Sequence, residues 1–210
     1  MRIVVIGANG MVGSRVAGEA TRRSHRTTAV FRGEPPASLP AGITAAQGDA
    51  TDRDRMRGLF TGADAVVAAT RPAPGHENMA APTTTALLDA ASAAGTRLLL
   101  VGGAGPLWTP GRPGLAVLDN PDYVPVAWRA IAAASVAQLD ACRAHSADWI
   151  YLSPPALLEP GPRTGTYRRG GTTLVTTADG TSRISAEDLA VAVLDELENP
   201  GEDRHFTVGY

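Results

Sequence analysis

A short apolar run, Arg2 to Ile6, leads directly into Gly7-x-x-Gly10-x-x-Gly13, and helix-compatible sequence follows to about Arg23. Three spaced glycines alone are a common turn; between a strand and a helix they constrain the whole fold. Gly7 permits a tight turn, Gly10 lets backbone approach a phosphate, and Gly13 lets helix and strand pack closely. Free N–H groups at the helix start then face an anion. Asn9, Met11 and Val12, which fill the turn, join the three glycines as expected dinucleotide-binding residues.

The alternation continues. Thr27 to Phe31 reads as a second strand, Ala45 to Asp49 ends a third, and Asp52 is placed to cap a helix over Arg53 to Phe60. Ala63 to Thr70 is apolar almost throughout, as a strand covered on both faces should be. Thr83 to Ala94 has helical spacing closed by Gly95, Arg97 to Val101 is a fifth strand, Val126 to His145 a long alanine-rich helix, and Trp149 to Leu152 a sixth strand. Strands and helices at this interval imply an α/β fold of Rossmann type, doubly wound, with a mostly parallel sheet and helices on both faces. After Ser153, glycine pairs and an Asp179-Gly180 turn suggest small extra strands. Ser185 to Asp188 resembles a capping box opening a last helix, and His205 to Gly209 is expected to return as an edge strand. No repeat or linker divides the chain, so residues 1–210 are expected to form one nucleotide-binding domain.

A formal net charge of −2 and a pI near 6.1 give no electrostatic reason to expect nucleic acid or an anionic membrane. Ile3 to Ile6 is too short for a leader or a membrane span. The expectation is therefore a cytoplasmic monomer or homodimer whose partner is a small molecule. Cys142, the single cysteine, can form no internal disulfide and has no metal-ligand spacing around it, so no metal is expected. All 19 basic side chains are arginine. Without lysine there is no Schiff base, no P-loop lysine and no tyrosine–lysine proton relay.

In such folds ligands lie beyond the carboxyl ends of the strands. After the second strand, where an NAD-binding protein usually places an acid for the ribose 2′-hydroxyl, this chain has Arg32. A guanidinium there suits a 2′-phosphate, which favours NADP(H) over NAD(H); the other reading is a solvated surface arginine. Arg15 either assists it or points to solvent. Asp49 would accept from the adenine amino group, with Gln47 as the alternative, or it caps a helix. Ala69, Thr70, Gly102, Ser153 and Pro154 should border the nicotinamide, and Thr70 and Ser153 carry hydroxyls for ribose or carboxamide. Loops 71–82, 104–125 and 153–170 are expected to form the substrate pocket. The excursion 104–125 is long enough to be a lid or disordered. Within it Trp108 and Tyr123 offer flat apolar surface, and Trp108 either stacks on substrate or packs the lid down. Arg71 offers a cation to an anionic substrate or phosphate. His76 is the histidine best placed to give a proton, while His25, His145 and His205 read as surface positions.

With these residues identified, "GANGMVG", "QGDATD", "VGGAG", "YLSPPALLEPGPRTGTYR" and "SRISAEDLAVAVLDELENP" follow in an order that resembles the atypical short-chain dehydrogenase/reductase superfamily. The resemblance is to its small NmrA-like and NADH-flavin-reductase-like members, and it covers essentially the whole chain. It implies a nicotinamide-dependent oxidoreductase. In the wider superfamily a serine after strand five and a tyrosine with a lysine four residues on polarise and protonate a carbonyl. Here strand five leads into Gly102-Gly-Ala-Gly-Pro106, where flavin-reductase-like relatives often carry serine at the position of Pro106, and Tyr123 has Ala127 four residues on. A carbonyl reduced by hydride leaves an alkoxide that needs an acid; a flavin or quinone delocalises the charge. The departures thus favour FMN, another flavin, a quinone or a similar conjugated acceptor, with Tyr123 and His76 as the remaining catalytic candidates. Two other readings stay open: a nucleotide-sensing NmrA-like regulator without turnover, and a non-redox isomerase or cyclase of a specialised metabolite.

Overall fold

The computed structural model describes residues Met1–Tyr210. The apolar runs become strands β1 (Arg2–Ile6), β2 (Arg26–Phe31), β3 (Ile43–Gln47), β4 (Ala65–Ala68), β5 (Arg97–Val101) and β6 (Trp149–Ser153). Short β7 (Leu157–Glu159), β8 (Arg168–Gly170) and β9 (Arg183–Ser185) follow, and β10 (His205–Gly209) comes last. Between them lie α1 (Met11–Arg22), α2 (Arg53–Phe60), α3 (Ala80–Ala94), α4 (Arg129–Arg143) and α5 (Ala186–Glu198). Local chemistry sets the helix ends. Asp52 caps α2 by accepting from the Arg55 N–H, Ser185 caps α5 by accepting from Asp188 N–H, and Gly95 closes α3 at φ +65°.

Eight strands form one sheet in the order β3-β2-β1-β4-β5-β6-β10-β8, and only the β10–β8 pair is antiparallel. The fold is a Rossmann-type α/β sheet with a C-terminal extension. Strands β7 and β9 form a separate parallel pair. One face of the sheet buries Ile3, Val5 and Val16 with Leu189 and Val193 of α5; the other buries Val4 and Ile6 with Met56, Phe60, Leu87 and Leu139. No helix is long and apolar enough to cross a membrane.

The last strand departs from expectation. Rather than forming an edge, β10 inserts between β6 and β8, pairing His205, Phe206 and Thr207 with Tyr151, Leu152 and Ser153. Its alternation of polar and apolar residues reads as a half-solvated strand. In the fold its polar side faces inward, where the His205 ring nitrogen Nε2 lies 3.0 Å from the Ser153 hydroxyl.

Candidate functional site

The strand order reverses between β1 and β4, and at that switch point the glycine turn meets the start of α1. Gly7 has φ +79°, and a Cβ there would lie 2.5 Å from the Ala69 carbonyl oxygen, so the exit of β4 rests against the turn. A Cβ on Gly13 would lie 2.2 Å from the Gly7 carbonyl oxygen, which is the close helix–strand approach expected of it. Gly10 is different: its φ is −82°, and a Cβ would meet only the Gly7 oxygen at 3.2 Å and the Ala69 oxygen at 4.0 Å. The space above Gly10 is open. Helix α1 has no side-chain cap and no acid in its first turn, so the N–H groups of Met11, Val12 and Gly13 have no acceptor within the chain. Three unspent donors above an unobstructed glycine fit the pyrophosphate of a dinucleotide. Asn9 is exposed beside them.

On the β2–β3 side Arg32 is exposed and makes neither hydrogen bond nor ion pair with any residue. Asp49 lies two residues past β3 and accepts from the Thr51 N–H at 2.8 Å and the Thr51 hydroxyl at 2.7 Å. These bonds, and then the Arg32 charge, hold its carboxyl below the usual aspartate range. Asp49 is not the helix cap, because Asp52 takes that role. Arg15 neither assists Arg32 nor points free into solvent: its Nε donates to Glu187 at 2.7 Å and its guanidinium also reaches the Met11 carbonyl.

Adjacent parallel strands β4, β5 and β6 bring Ala69–Thr70, Gly102 and Ser153–Pro154 to one rim of the sheet. The Thr70 hydroxyl is half-buried and unspent, whereas Ser153 is fully buried with its hydroxyl committed to His205. The Ser153 side chain therefore offers nothing to a ribose, and Pro154 beside it is buried as well. The exit of β5 is built by exclusion. A Cβ on Gly102 would lie 1.8 Å from the Tyr151 hydroxyl, one on Gly103 would lie 3.0 Å from Ser135 Cβ, and one on Gly105 would lie 2.4 Å from the Ala132 carbonyl oxygen. Gly102 and Gly105 cannot carry side chains there, Gly103 could do so only if Ser135 gave way, and the side chains present, Ala104 and Pro106, have no donor. Tyr151, the tyrosine beneath this exit, donates its hydroxyl toward the Ser135 carbonyl at 2.9 Å and Gln138 Oε1 at 3.0 Å. Burial raises its pKa.

The excursion 104–125 is ordered by distant partners. Trp108 donates its N–H to the Thr172 carbonyl at 2.8 Å, the Leu174 N–H returns to the Trp108 carbonyl, and Leu107, Val117 and Leu174 form a small buried cluster. Tyr123 packs on this cluster and its hydroxyl donates to the Gly180 carbonyl at 3.3 Å. Trp108 stays 46% exposed on the wall of a cavity of about 340 Å³ that Thr109, Arg112 and Thr173 also line. His76 sits on an exposed turn and its imidazole has no partner. The other histidines are not simple surface residues: His25 pairs with Glu198 at 2.7 Å, His145 with Asp89 at 3.1 Å, and burial, helped by Arg143, lowers the His205 pKa to about 4. Cys142 is buried, and burial pushes its thiol up to about 12. No group of three or more His, Cys, Asp or Glu side chains is arranged to hold a metal.

Residues 160–166 form a strap tied to α1 and α5. Arg163 grips Glu19 through two bonds of 2.8 Å, while Asp188 receives the N–H groups of Thr164 and Gly165. Trp128, whose ring lies under Arg71, is not among the residues that the sequence motifs single out. A large aromatic at a helix start, off the apolar stripe of that helix, was the available signal.

The model of a family described as NAD(P)H-binding matches residues 7–200. The chain is 35% identical to YwnB of Bacillus subtilis (strain 168), an uncharacterised protein, over 99% of this chain and 98% of that one. Among solved structures, a candidate epimerase from Bacteroides thetaiotaomicron is 35% identical with TM-score 0.89, covering 100% of this chain and 96% of the other. A candidate NADH-flavin reductase from Streptococcus pneumoniae TIGR4 is 29% identical with TM-score 0.88, covering 100% and 99%.

Proposed function

The chain belongs to the NAD(P)H-binding family, of atypical short-chain dehydrogenase/reductase type, and from that premise we propose that it is an NADPH-dependent reductase of flavins, quinones or other conjugated small molecules. The observation that carries this reading is the exit of β5, where packing bars side chains at Gly102 and Gly105 and the residues at the other positions, Gly103, Ala104 and Pro106, hold no side-chain donor. When bound, the nicotinamide supplies a hydride. Met11, Val12 and Gly13 N–H groups would hold the pyrophosphate, Arg32 the 2′-phosphate, and Thr70 the ribose or carboxamide. A carbonyl acceptor would then need a positioned acid, commonly worth about 10²–10⁴-fold. The chain is poor in such groups: Tyr151 is buried and bonded, Tyr123 is turned to Gly180, and nothing orients His76. A conjugated acceptor asks only for orientation and exclusion of other geometries. The similarity to the candidate NADH-flavin reductase supports the same choice.

The test is an anaerobic titration of protein with NADPH, followed at the nicotinamide absorbance while FMN, riboflavin and quinones are added. Oxidation above the uncatalysed rate is expected. Tight binding with no oxidation by any acceptor would overturn the reductase and favour a nucleotide sensor. The similarity to the candidate epimerase gives the non-redox reading one observation of its own, and conversion of substrate without net nucleotide oxidation would establish it.

A further inference from the structure

Two arginines at the carboxyl ends of the main-sheet strands make neither hydrogen bond nor ion pair: Arg32 and Arg71. Elsewhere the arginines near the site are spent, as Arg15 is on Glu187 and Arg163 on Glu19. Arg32 has a task in the nucleotide reading. Arg71 lies three residues beyond the end of β4, just after Ala69 and Thr70, whose backbone atoms abut the glycine turn. Its guanidinium carbon stands 5.5 Å from the ring centroid of Trp128, in the turn that opens α4. Trp128 remains 55% exposed, in the same turn as the exposed Val126. The acid whose charge Arg71 feels, Glu77, instead accepts the Gly75 N–H at 3.1 Å.

An arginine stacked on an indole uses the face of its guanidinium and leaves the in-plane N–H fork available. That fork matches two oxygens of a phosphate or carboxylate, and the stacking removes part of the ordering cost of using it. An unspent guanidinium is thus held over an exposed indole just beyond the exit of β4. We propose that Arg71, braced by Trp128, anchors a phosphate monoester or carboxylate on the tail of the acceptor, so that FMN is bound in preference to riboflavin. The proposal rests on the reductase reading and narrows its substrate class.

The experiment is equilibrium quenching of flavin fluorescence by protein saturated with NADP⁺, comparing FMN with riboflavin, alongside NADPH affinity. The unmodified protein is expected to bind FMN about tenfold or more tightly than riboflavin, as one charge-assisted anchor allows. Arg71→Ala should close that gap to within about twofold, chiefly by weakening FMN, and Trp128→Leu should close it part of the way. Equal affinity of the unmodified protein for the two flavins would overturn the anchor. So would an Arg71→Ala variant that weakens NADPH and leaves the FMN preference intact, since Arg71 would then serve the dinucleotide's own phosphates. Because binding needs no turnover, the two proposals separate. FMN preference without NADPH oxidation refutes the reductase and keeps the anchor; quinone reduction without FMN preference does the reverse.

Discussion

Replacing Gly10 by valine should remove nucleotide binding while leaving the fold intact, and replacing Gly13 by alanine should do nearly the opposite. At Gly10 the backbone is extended, φ −82° and ψ 168°, a conformation that suits a β-branched residue. Its Cβ would stand 3.2 Å from one carbonyl oxygen, a contact relieved by a shift of a few tenths of an ångström. The loss of stability should stay below about 1 kcal/mol, or roughly 2–4 °C in Tm for a chain of this size. The two added methyls, however, fill the opening over the unspent N–H groups of Met11 and Val12. Losing two charge-assisted bonds costs about 3–6 kcal/mol at about 1.5–3 each, two to four decades of affinity. At Gly13 the added carbon would sit 2.2 Å from Gly7 oxygen and 2.7 Å from Gly7 carbon, both backbone, so α1 must move away from β1. Overpacking of that kind costs about 1–3 kcal/mol or more. NADPH fluorescence titrations and thermal melts of both variants decide the matter. A Gly10→Val protein that melts normally and binds NADPH within threefold of the unmodified protein would refute the assignment of the turn, and a Gly13→Ala protein with unchanged Tm would refute the packing argument.

Arg32→Ala should weaken NADPH by one to two decades and NADH little, from the loss of one charge-assisted contact; equal weakening of both nucleotides in parallel titrations would refute a 2′-phosphate role. Tyr123→Phe should lower turnover less than about tenfold, since its hydroxyl is directed to Gly180; a loss of a hundredfold with a solvent isotope effect on kcat would make it a proton donor and point to carbonyl or enone reduction. His205, neutral and half-buried with a pKa lowered to about 4, takes up its proton more readily when unfolded, so its stabilising effect is full above about pH 6.5 and falls as pH drops toward 4. Urea titrations at pH 7 and pH 5 should show that His205→Gln removes about 2 kcal/mol of this difference, and an unchanged slope would place the ring in water.

The alternation of strands and helices was legible because each element's signal is local: β-branched runs, a capping Asp52, a closing Gly95. The glycine turn was legible for the same reason, since backbone geometry at Gly7 and Gly13 depends on neighbours within one βα unit and on the adjacent β4 exit. What failed to show depends on partners far along the chain. The position of β10 is fixed by pairing with β6 more than fifty residues earlier, and a polar–apolar alternation does not say whether the polar side meets water or a buried hydroxyl. Ser153 looked available to a ribose because its partner His205 lies 52 residues on. The loop that carries Tyr123 suggests a place near the chemistry, yet the Tyr123 hydroxyl is directed to Gly180, 57 residues away. The histidines read as surface positions are held by acids or hydroxyls from other elements for the same reason.

The packing beneath β5 limits where a carbonyl-polarising side chain could stand. At the strand-five exit a serine could stand at 104 or 106, where the chain holds Ala104 and Pro106. A serine at 102 would place its Cβ 1.8 Å from the Tyr151 hydroxyl, which is itself committed to Ser135 and Gln138 in a buried network. Removing the tyrosine to make room would leave a large void and strand the Gln138 acceptor, a change of several kcal/mol. A serine at 105 would collide with backbone at Ala132, which no rotamer can relieve. The run Gly102-Gly103-Ala104-Gly105 therefore lies flat on α4 because α4 and Tyr151 already occupy the space where its side chains would go. The side chains this exit does carry, Ala104 and Pro106, have no hydroxyl to offer a developing alkoxide, which is the ground for proposing an acceptor that stabilises its own charge.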